Sequence, residues 1–318
     1  MPKRLSEFTE EELISFFDRP NIPMPHIIKG IGDDCAVLST GRADERWIIT
    51  QDSLVAEKHF SFRNDEPFLI GWKALARSIS DIAAMSGLPK GALVSLGLPK
   101  DLEVDWINKV YDGIYACAEK YKCPVIGGDV ASSENIFFSV TIIGTADKIN
   151  YRSGAREKDF LCVTGELGGS IIEKHLKVEP RINESIWINE NACVTSMIDL
   201  SDGIGKDLFH LADASNAGFD LYFENIPISK DALKIASQDN ISGFEHAVYD
   251  GEDYELLFTV KEDESSVELI RHKFEREFGI PFSVIGKETG NAGEIRVLKK
   301  NNFWKNLARG GYEHFKKI

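Results

Sequence analysis

Apolar residues recur along this chain with two periods, and glycine, proline and acidic residues mark the breaks between them. Thr9 and Glu12 form a capping box ahead of Leu13, Ile14, Phe16 and Phe17, which predicts a short helix stopping before Pro20. Trp47-Ile48-Ile49-Thr50 reads as a buried strand that runs out at Asp52. Trp72, Leu75, Ala76, Ile79 and Ala83 have helical spacing, with Gly87 as the expected C-cap. Ala92 to Leu98 predicts a strand, and Val104, Ile107, Val110, Ile114 and Ala118 a helix. Val125-Ile126 reads as a short strand ending at Gly127-Gly128-Asp129, and Ile136 to Thr145 as a longer one.

The pattern turns polar between Asp147 and Asp159 and then resumes. The domain boundary is placed there, dividing the chain into residues 1–147 and 148–318. The second part opens with a strand from Phe160 to Thr164, a turn from Gly165 to Gly169 and a helix from Ser170. Met197 to Ser201 predicts a strand and Gly203 towards Ala214 a helix. Phe219 to Phe223 and Glu255 to Val260 read as strands. Val267, Ile270, Phe274 and Phe278 mark a last helix before strands at Val284-Ile285 and Ile295 to Leu298. Strands and helices mix in both parts without strict alternation, so an α+β class is better supported than a doubly wound parallel sheet.

Composition narrows the field. The chain has 318 residues, 43% hydrophobic and 28% charged, as in an ordinary globular enzyme with two domains. Acidic residues number 51 against 37 basic ones, a formal net charge of −14. That balance argues against sequence-independent nucleic-acid binding, which needs basic residues to displace counterions, and suits a site that gathers cations. The five cysteines include no CxxC spacing, so buried reduced thiols are expected rather than a disulfide scaffold or zinc site. No signal-peptide pattern and no run of membrane-spanning length occurs, which leads to the expectation of a cytoplasmic protein.

The aspartates change the picture most. Asp33, Asp34, Asp52, Asp129, Asp199 and Asp202 all sit where strongly apolar segments end. On a strand, alternate residues share a face, so Thr50 and Asp52 would point together, as would Asp199 and Ser201. Each pair offers a hydroxyl and a carboxylate, both hard oxygen ligands of the kind Mg²⁺ takes. Asp202 is equally suited to cap the following helix. Asp81 falls near the C-terminus of its helix, where the macrodipole disfavours a carboxylate. Two roles are open to it: an ion pair with Arg77 one turn earlier, or a metal ligand.

Other nucleotide sites are missing. There is no GxxxxGK[ST] loop, no HRD or DFG set, no GxGxxG fingerprint, no calcium loop and no HExxH. Gly165 to Ser170 joins a strand to the expected helix and could rest a phosphate on its N-terminus, though tight strand-to-helix packing accounts for the glycines better. Gly127-Gly128 would let a ligand approach the backbone beside Asp129.

Taken in order, GIGDDCAVL at 30–38, TQDSLVAEKHF at 50–60, KALARSISDIAAM at 73–85, IGGDVASS at 126–133, RSGAREKD at 152–159, IDLSDGIGKDL at 198–208, GEDYELLFTV at 251–260 and GYEHF at 311–315 resemble the thiamine-monophosphate kinase family. The resemblance spans nearly the whole chain. It implies the two-domain fold of the aminoimidazole ribonucleotide synthetase superfamily. Residues 1–147 would form an α/β domain that binds ATP and Mg²⁺ and builds a β-barrel across a homodimer, and residues 148–318 an α+β domain. It implies transfer of phosphate from ATP to thiamine monophosphate. Asp34, Thr50, Asp52, Asp81, Asp129, Asp199 and Asp202 would hold several Mg²⁺ ions, with Asp52, Asp81 and Asp129 carrying catalysis. Tyr111, Gly128, Asp129, Arg152 and Ser201 would contact ATP, and His59, Glu252 and Tyr312 the thiamine part.

The chemistry of the residues is consistent with that. An acceptor phosphate oxygen is already ionised at neutral pH and needs no general base, and no Ser-His-Asp or Cys-His arrangement supplies one. The obstacle is repulsion between two anions, which positioning and charge neutralisation overcome. Tyr312 could hold the thiazolium through a cation–π contact or could simply pack the C-terminus. Alternatives are another ATP-using member of the superfamily, such as aminoimidazole ribonucleotide synthetase, and a non-catalytic Mg-nucleotide binder.

Overall fold

A computed structural model of the chain describes residues 4–18, 24–42, 45–298 and 303–315. The first part contains strands β1 (Ile27–Lys29), β2 (Ala36–Ser39), β3 (Arg46–Val55), β4 (Leu88–Leu98), β5 (Val125–Ser132) and β6 (Phe137–Ala146). Its helices are α1 (Glu10–Phe17), α2 (Pro67–Ala84) and α3 (Val104–Tyr121). The second part contains β7 (Phe160–Thr164), β8 (Val194–Asp199), β9 (Phe219–Tyr222), β10 (Leu256–Val260), β11 (Phe282–Glu288), β12 (Ile295–Leu298) and β13 (Trp304–Asn306). Its helices are α4 (Ile182–Asn191), α5 (Ile204–Ser215), α6 (Lys230–Asp239), α7 (Gly243–Tyr249) and α8 (Glu264–Phe278).

Each part is built on its own mixed sheet. The first has the order β1-β2-β3-β6-β4-β5, antiparallel except for the parallel pair β4–β5 that α3 connects. The second has the order β13-β12-β9-β11-β7-β10-β8, with β12 parallel to β9. The fold is therefore α+β with two domains.

Helix α2 is the element that positions the site. It is buried on nearly all sides, because it lies between the first sheet, α3, α4 and strand β8 of the second sheet. One apolar cluster runs continuously from the first sheet through α2 into α4, α8 and one face of the second sheet. A second cluster fills the other face beneath α5 and α7. Alternate strand residues divide between the two: Cys162, Met197 and Phe258 in the first, Leu161, Ile198 and Leu257 in the second.

Several expectations are revised. Strand β3 does not stop at Asp52 but pairs with β6 through Val55, and Gly127-Gly128-Asp129 lie inside β5 rather than after it. Both aspartates therefore sit within strands. Gly87 does not supply the left-handed cap of α2; Ser86 does, at φ 53°. The glycine leaves room for the buried Ile48, whose Cδ1 a Cβ there would meet at 2.2 Å. Gly128 has a similar reason: a Cβ would stand 1.8 Å from the Val94 carbonyl oxygen of the neighbouring strand. After Gly169 there is only a 3₁₀ turn, Ser170–Ile172, and the next helix begins at Ile182. The Thr9 capping box is formed, whereas Pro20 lies outside the described residues. Cys35, Cys117, Cys123 and Cys162 are buried thiols and Cys193 is exposed. Among the described residues no helix is long and apolar enough to cross a membrane.

Candidate active site

The carboxylates gather where α2 crosses between the sheets. Asp34 follows the turn before β2, Asp81 is carried by the last turn of α2, and Asp199 ends β8. One oxygen from each lies within 4.8 Å of the others. Thr50 donates to Asp81 Oδ2 at 2.5 Å, and Ser80 to Asp199 Oδ2 at 2.6 Å. Arg152 is a partial counter-ion, donating to Asp34 Oδ1 from Nη2 at 2.6 Å and from Nε at 3.1 Å. Its backbone N–H donates to Asp33.

This much negative charge is not settled by the protein alone. Asp34 Oδ2 is buried without a hydrogen-bond partner. Burial raises Asp34, with Arg152 opposing. Burial and then the charges of Asp52, Asp199 and Asp34 push Asp81 well above the usual carboxylate range. Asp199 is raised to about 7, by burial and then Asp34, and Asp33 to about 6 by burial and its neighbour Asp34. Clustered, desolvated carboxylates with an orphaned oxygen fit a site for hard divalent cations.

The cluster opens on a cavity of about 450 Å³. Asp34, Thr50, Asp52, Asp81, Arg152, Ser201 and Asp202 line it together with His59, Glu252 and Tyr312, whereas Asp199 does not. Parity on β3 gives Thr50 and Asp52 the same face, as expected. Asp81 does not pair with Arg77; that guanidinium reaches Asp52 at 3.2 Å instead. Asp202 does not cap α5, whose N-cap is Gly203; its carboxylate meets Lys206 at 2.8 Å. Ser201 lies beyond the end of β8, in the turn, so it does not share a strand face with Asp199. The Gly165–Gly169 turn binds its own carboxylates: Gly168 N–H donates to Asp253 and Gly169 N–H to Asp250.

Tyr111, Gly128 and Asp129 do not reach this cavity within one chain. Ladder register gives the reason for Asp129. It pairs with Ser95, which pairs with Ser139, which pairs with Ser53. Opposed residues share a face, and Ser53 is one residue from Asp52, so Asp129 projects from the opposite face.

Residues 32–146 match the family model described as AIR synthase related protein, N-terminal domain. The thiamine-monophosphate kinase of Rhodopirellula baltica is 34% identical over 313 residues, covering 96% of this chain and 94% of that protein. The chain belongs to the thiamine-monophosphate kinase family. The Bacillus subtilis thiamine-monophosphate kinase is 32% identical over 314 residues, covering 90% and 93% of the two chains. The solved structure of AaThiL complexed with AMPPCP and TMP superposes with a TM-score of 0.83 over 99% of each chain, at 30% identity. A hydrogenase maturation protein HypE in complex with ATP shares the fold at 15% identity, with a TM-score of 0.70 and coverage of 84% and 85%.

In this member of the thiamine-monophosphate kinase family, each acidic residue of the GEDYEL segment makes a different contact. Glu252 faces the cavity and pairs with Lys73, Asp253 ties down the Gly168 turn, and Glu255 receives Arg181 and Lys174. Lys73, Arg77 and His314 are site residues that sequence reasoning did not single out. A lysine within the otherwise apolar first half of α2 was the available signal for the first. His314 forms an aromatic group with His59 and Tyr312, with centroids 5.2 and 4.9 Å away. His59 Nδ1 accepts the Val55 N–H at 3.0 Å, which puts its proton on Nε2. Burial, then the nearby Arg77, lowers its pKa to about 3, so the ring is neutral.

Proposed function

We propose that the chain transfers the γ-phosphoryl group of ATP directly to the phosphate of thiamine monophosphate, giving ADP and thiamine diphosphate. The observation that carries this reading is the Asp34–Asp81–Asp199 cluster, whose Asp34 and Asp81 line a cavity that also holds Arg152 and an aromatic group. Asp34, Thr50, Asp52, Asp81, Asp199 and Asp202 would hold Mg²⁺, which when bound neutralises and orients phosphate oxygens. Arg152 and Ser201 serve the nucleotide. Arg152 presents a planar fork suited to phosphate once Asp34 is otherwise compensated. The acceptor oxygen is already anionic, so the neutral His59 has no proton to remove and acts with Tyr312 and His314 as a surface for the thiazolium. The rate advantage then comes from bringing two anions into line and excluding their repulsion.

The same reading includes a homodimer with a shared site. The face of the first sheet away from α2 exposes Trp47, Leu93 and Ile126, and β5 is an edge strand. A second copy on that face would cover the apolar residues. It would also bring its own Tyr111, Gly128 and Asp129 to the cavity, completing the nucleotide and metal sites. A division between residues 147 and 148 is supported by the gap between β6 and β7, though Arg152, Ser201 and Glu252 make the site depend on both parts.

The test is ADP formation with Mg²⁺ and ATP, using thiamine monophosphate or formylglycinamidine ribonucleotide as acceptor. Thiamine diphosphate formed with the first acceptor only is expected; turnover of the second, or nucleotide binding without turnover, sinks the proposal. Tyr312→Ala is expected to raise the KM for thiamine monophosphate about tenfold and leave that for ATP within about twofold, a loss of the size of one aromatic–cation contact. Equal changes in both would remove Tyr312 from the thiamine pocket. Site sharing has its own measurement. Asp81→Asn and Asp129→Asn homodimers should each be nearly inactive, while re-associated mixtures recover about a quarter of wild-type activity, because half the dimers regain one of two sites. No recovery on subunit exchange would keep Asp129 within its own chain.

A further inference from the structure

Lys73 has no accessible surface, and a lysine in that position is tolerated only when its charge is met. Its Nζ donates to Glu252 Oε1 at 2.6 Å and to the His59 carbonyl at 2.7 Å. One ammonium therefore ties together two segments that line the same cavity, one from each domain. The backbone it holds is strained. Gly251, Glu252 and Tyr254 have φ of 75°, 55° and 51°. The left-handed region is uncommon for glutamate and tyrosine, and persists where surrounding contacts over-determine it. Glu252 Oε2 receives no hydrogen bond from any described residue.

Charge decides what that free oxygen can do. Lys73 and Glu252 form a net neutral pair, with side chains 0% and 26% exposed. A neutralised carboxylate is a weak counter-ion for a thiazolium. It remains a strong acceptor for a directed N–H donor. The cation already has a surface in His59, Tyr312 and His314. We propose that Lys73 is a positioning residue that aims Glu252 at the N–H-bearing aminopyrimidine ring of thiamine monophosphate and so sets specificity for that half of the acceptor. The inference rests on thiamine monophosphate being the acceptor.

The experiment compares thiamine monophosphate with its 4-oxo analogue, in which the pyrimidine amino group is replaced, by steady-state kinetics at saturating ATP and Mg²⁺. The wild-type protein should prefer the amino compound at least about tenfold in kcat/KM, as a site built around an N–H donor does. Lys73→Met should raise the KM for thiamine monophosphate about tenfold, leave kcat and the KM for ATP within about twofold, and shrink the preference below about threefold. Glu252→Ala should lose the same preference, and adding it to Lys73→Met should cost little more. Preference retained in either variant, a wild-type protein indifferent to the amino group, or a fall in kcat alone overturns the inference. Should Lys73→Met not fold, the preference of Glu252→Ala decides in its place: lost, it supports the inference, and kept, it overturns it. A wild-type protein that turns over neither acceptor sinks the proposed function itself, whereas turnover with unchanged preference in the variants sinks only this inference.

Discussion

Asp81→Asn is expected to lower kcat by about 10²–10³-fold while raising the melting temperature of the cation-free protein by about 2–4 °C per kcal/mol relieved. Both effects come from one carboxylate. Asp81 lies beside Asp34 and Asp199, with Asp52 adding further negative charge. Without cations these groups repel one another in a poorly solvated place, and replacing one by a neutral amide of the same shape relieves that. Asparagine can still accept the Thr50 hydroxyl, so the local packing is kept. The same change removes an anionic oxygen from the set that would hold Mg²⁺, and with it part of the charge neutralisation that two approaching phosphates require. Steady-state kinetics with Mg²⁺ and thermal melts in a chelator check the two halves. Near-wild-type turnover would take Asp81 out of the metal site, and a lower melting temperature would show that the carboxylates do not strain the fold.

Glu255→Gln is expected to cost about 3–5 kcal/mol of stability, on the order of 10 °C in melting temperature, although Glu255 touches no part of the cavity. Glu255 is 1% exposed. Arg181 donates to it from Nε and Nη2, both at 2.7 Å, Lys174 at 2.9 Å and Thr164 at 2.8 Å. Burial would push this carboxyl up, but Lys174 and Arg181 outweigh burial and hold it at about 2, below the ordinary 4.5. A depressed folded pKa contributes stability above the unfolded value and loses it as pH falls. The wild-type protein should therefore lose stability between about pH 4.5 and pH 2 through this group, and the variant should show a flatter acid limb. Glutamine removes the charge and turns an N–H₂ towards guanidinium donors, leaving Arg181 without its counter-ion. Chemical denaturation at neutral and acid pH measures both, and a loss below about 1 kcal/mol would reduce the cluster to the level of a surface ion pair.

Much of the fold was legible because local rules and tertiary packing agree. Periodic apolar residues located α3, α8 and β7, and the Thr9–Glu12 box started α1 as expected. The misplaced ends have a common cause. Asp52, Gly127, Gly128 and Asp129 look like strand breakers, yet β3 and β5 continue through them because long ladders to β6 and β4 supply the backbone hydrogen bonds that propensity does not. Helices α4, α6 and α7 escaped notice because their apolar positions are few and polar residues interrupt them. In the site, the residue types and most of the segments were readable. Lys73 and Arg77 were not, because their partners Glu252 and Asp52 lie 179 and 25 residues away.

By itself, the amino-acid sequence determined the supply of chemistry. It set carboxylates beside apolar strands, gave no phosphate-binding glycine loop to compete with them, and spaced Thr50 and Asp52 so that any extended backbone must aim them together. Tertiary structure decided which carboxylates meet and which do not. Asp34, Asp81 and Asp199 converge because α2 lies between the two sheets, and Asp129 is turned to the far face because strand register fixes the side of every residue once one pair is set. Arg77 had an acceptor one turn away and took Asp52 instead, since helical spacing makes a contact available while the packing around the helix selects among the available ones.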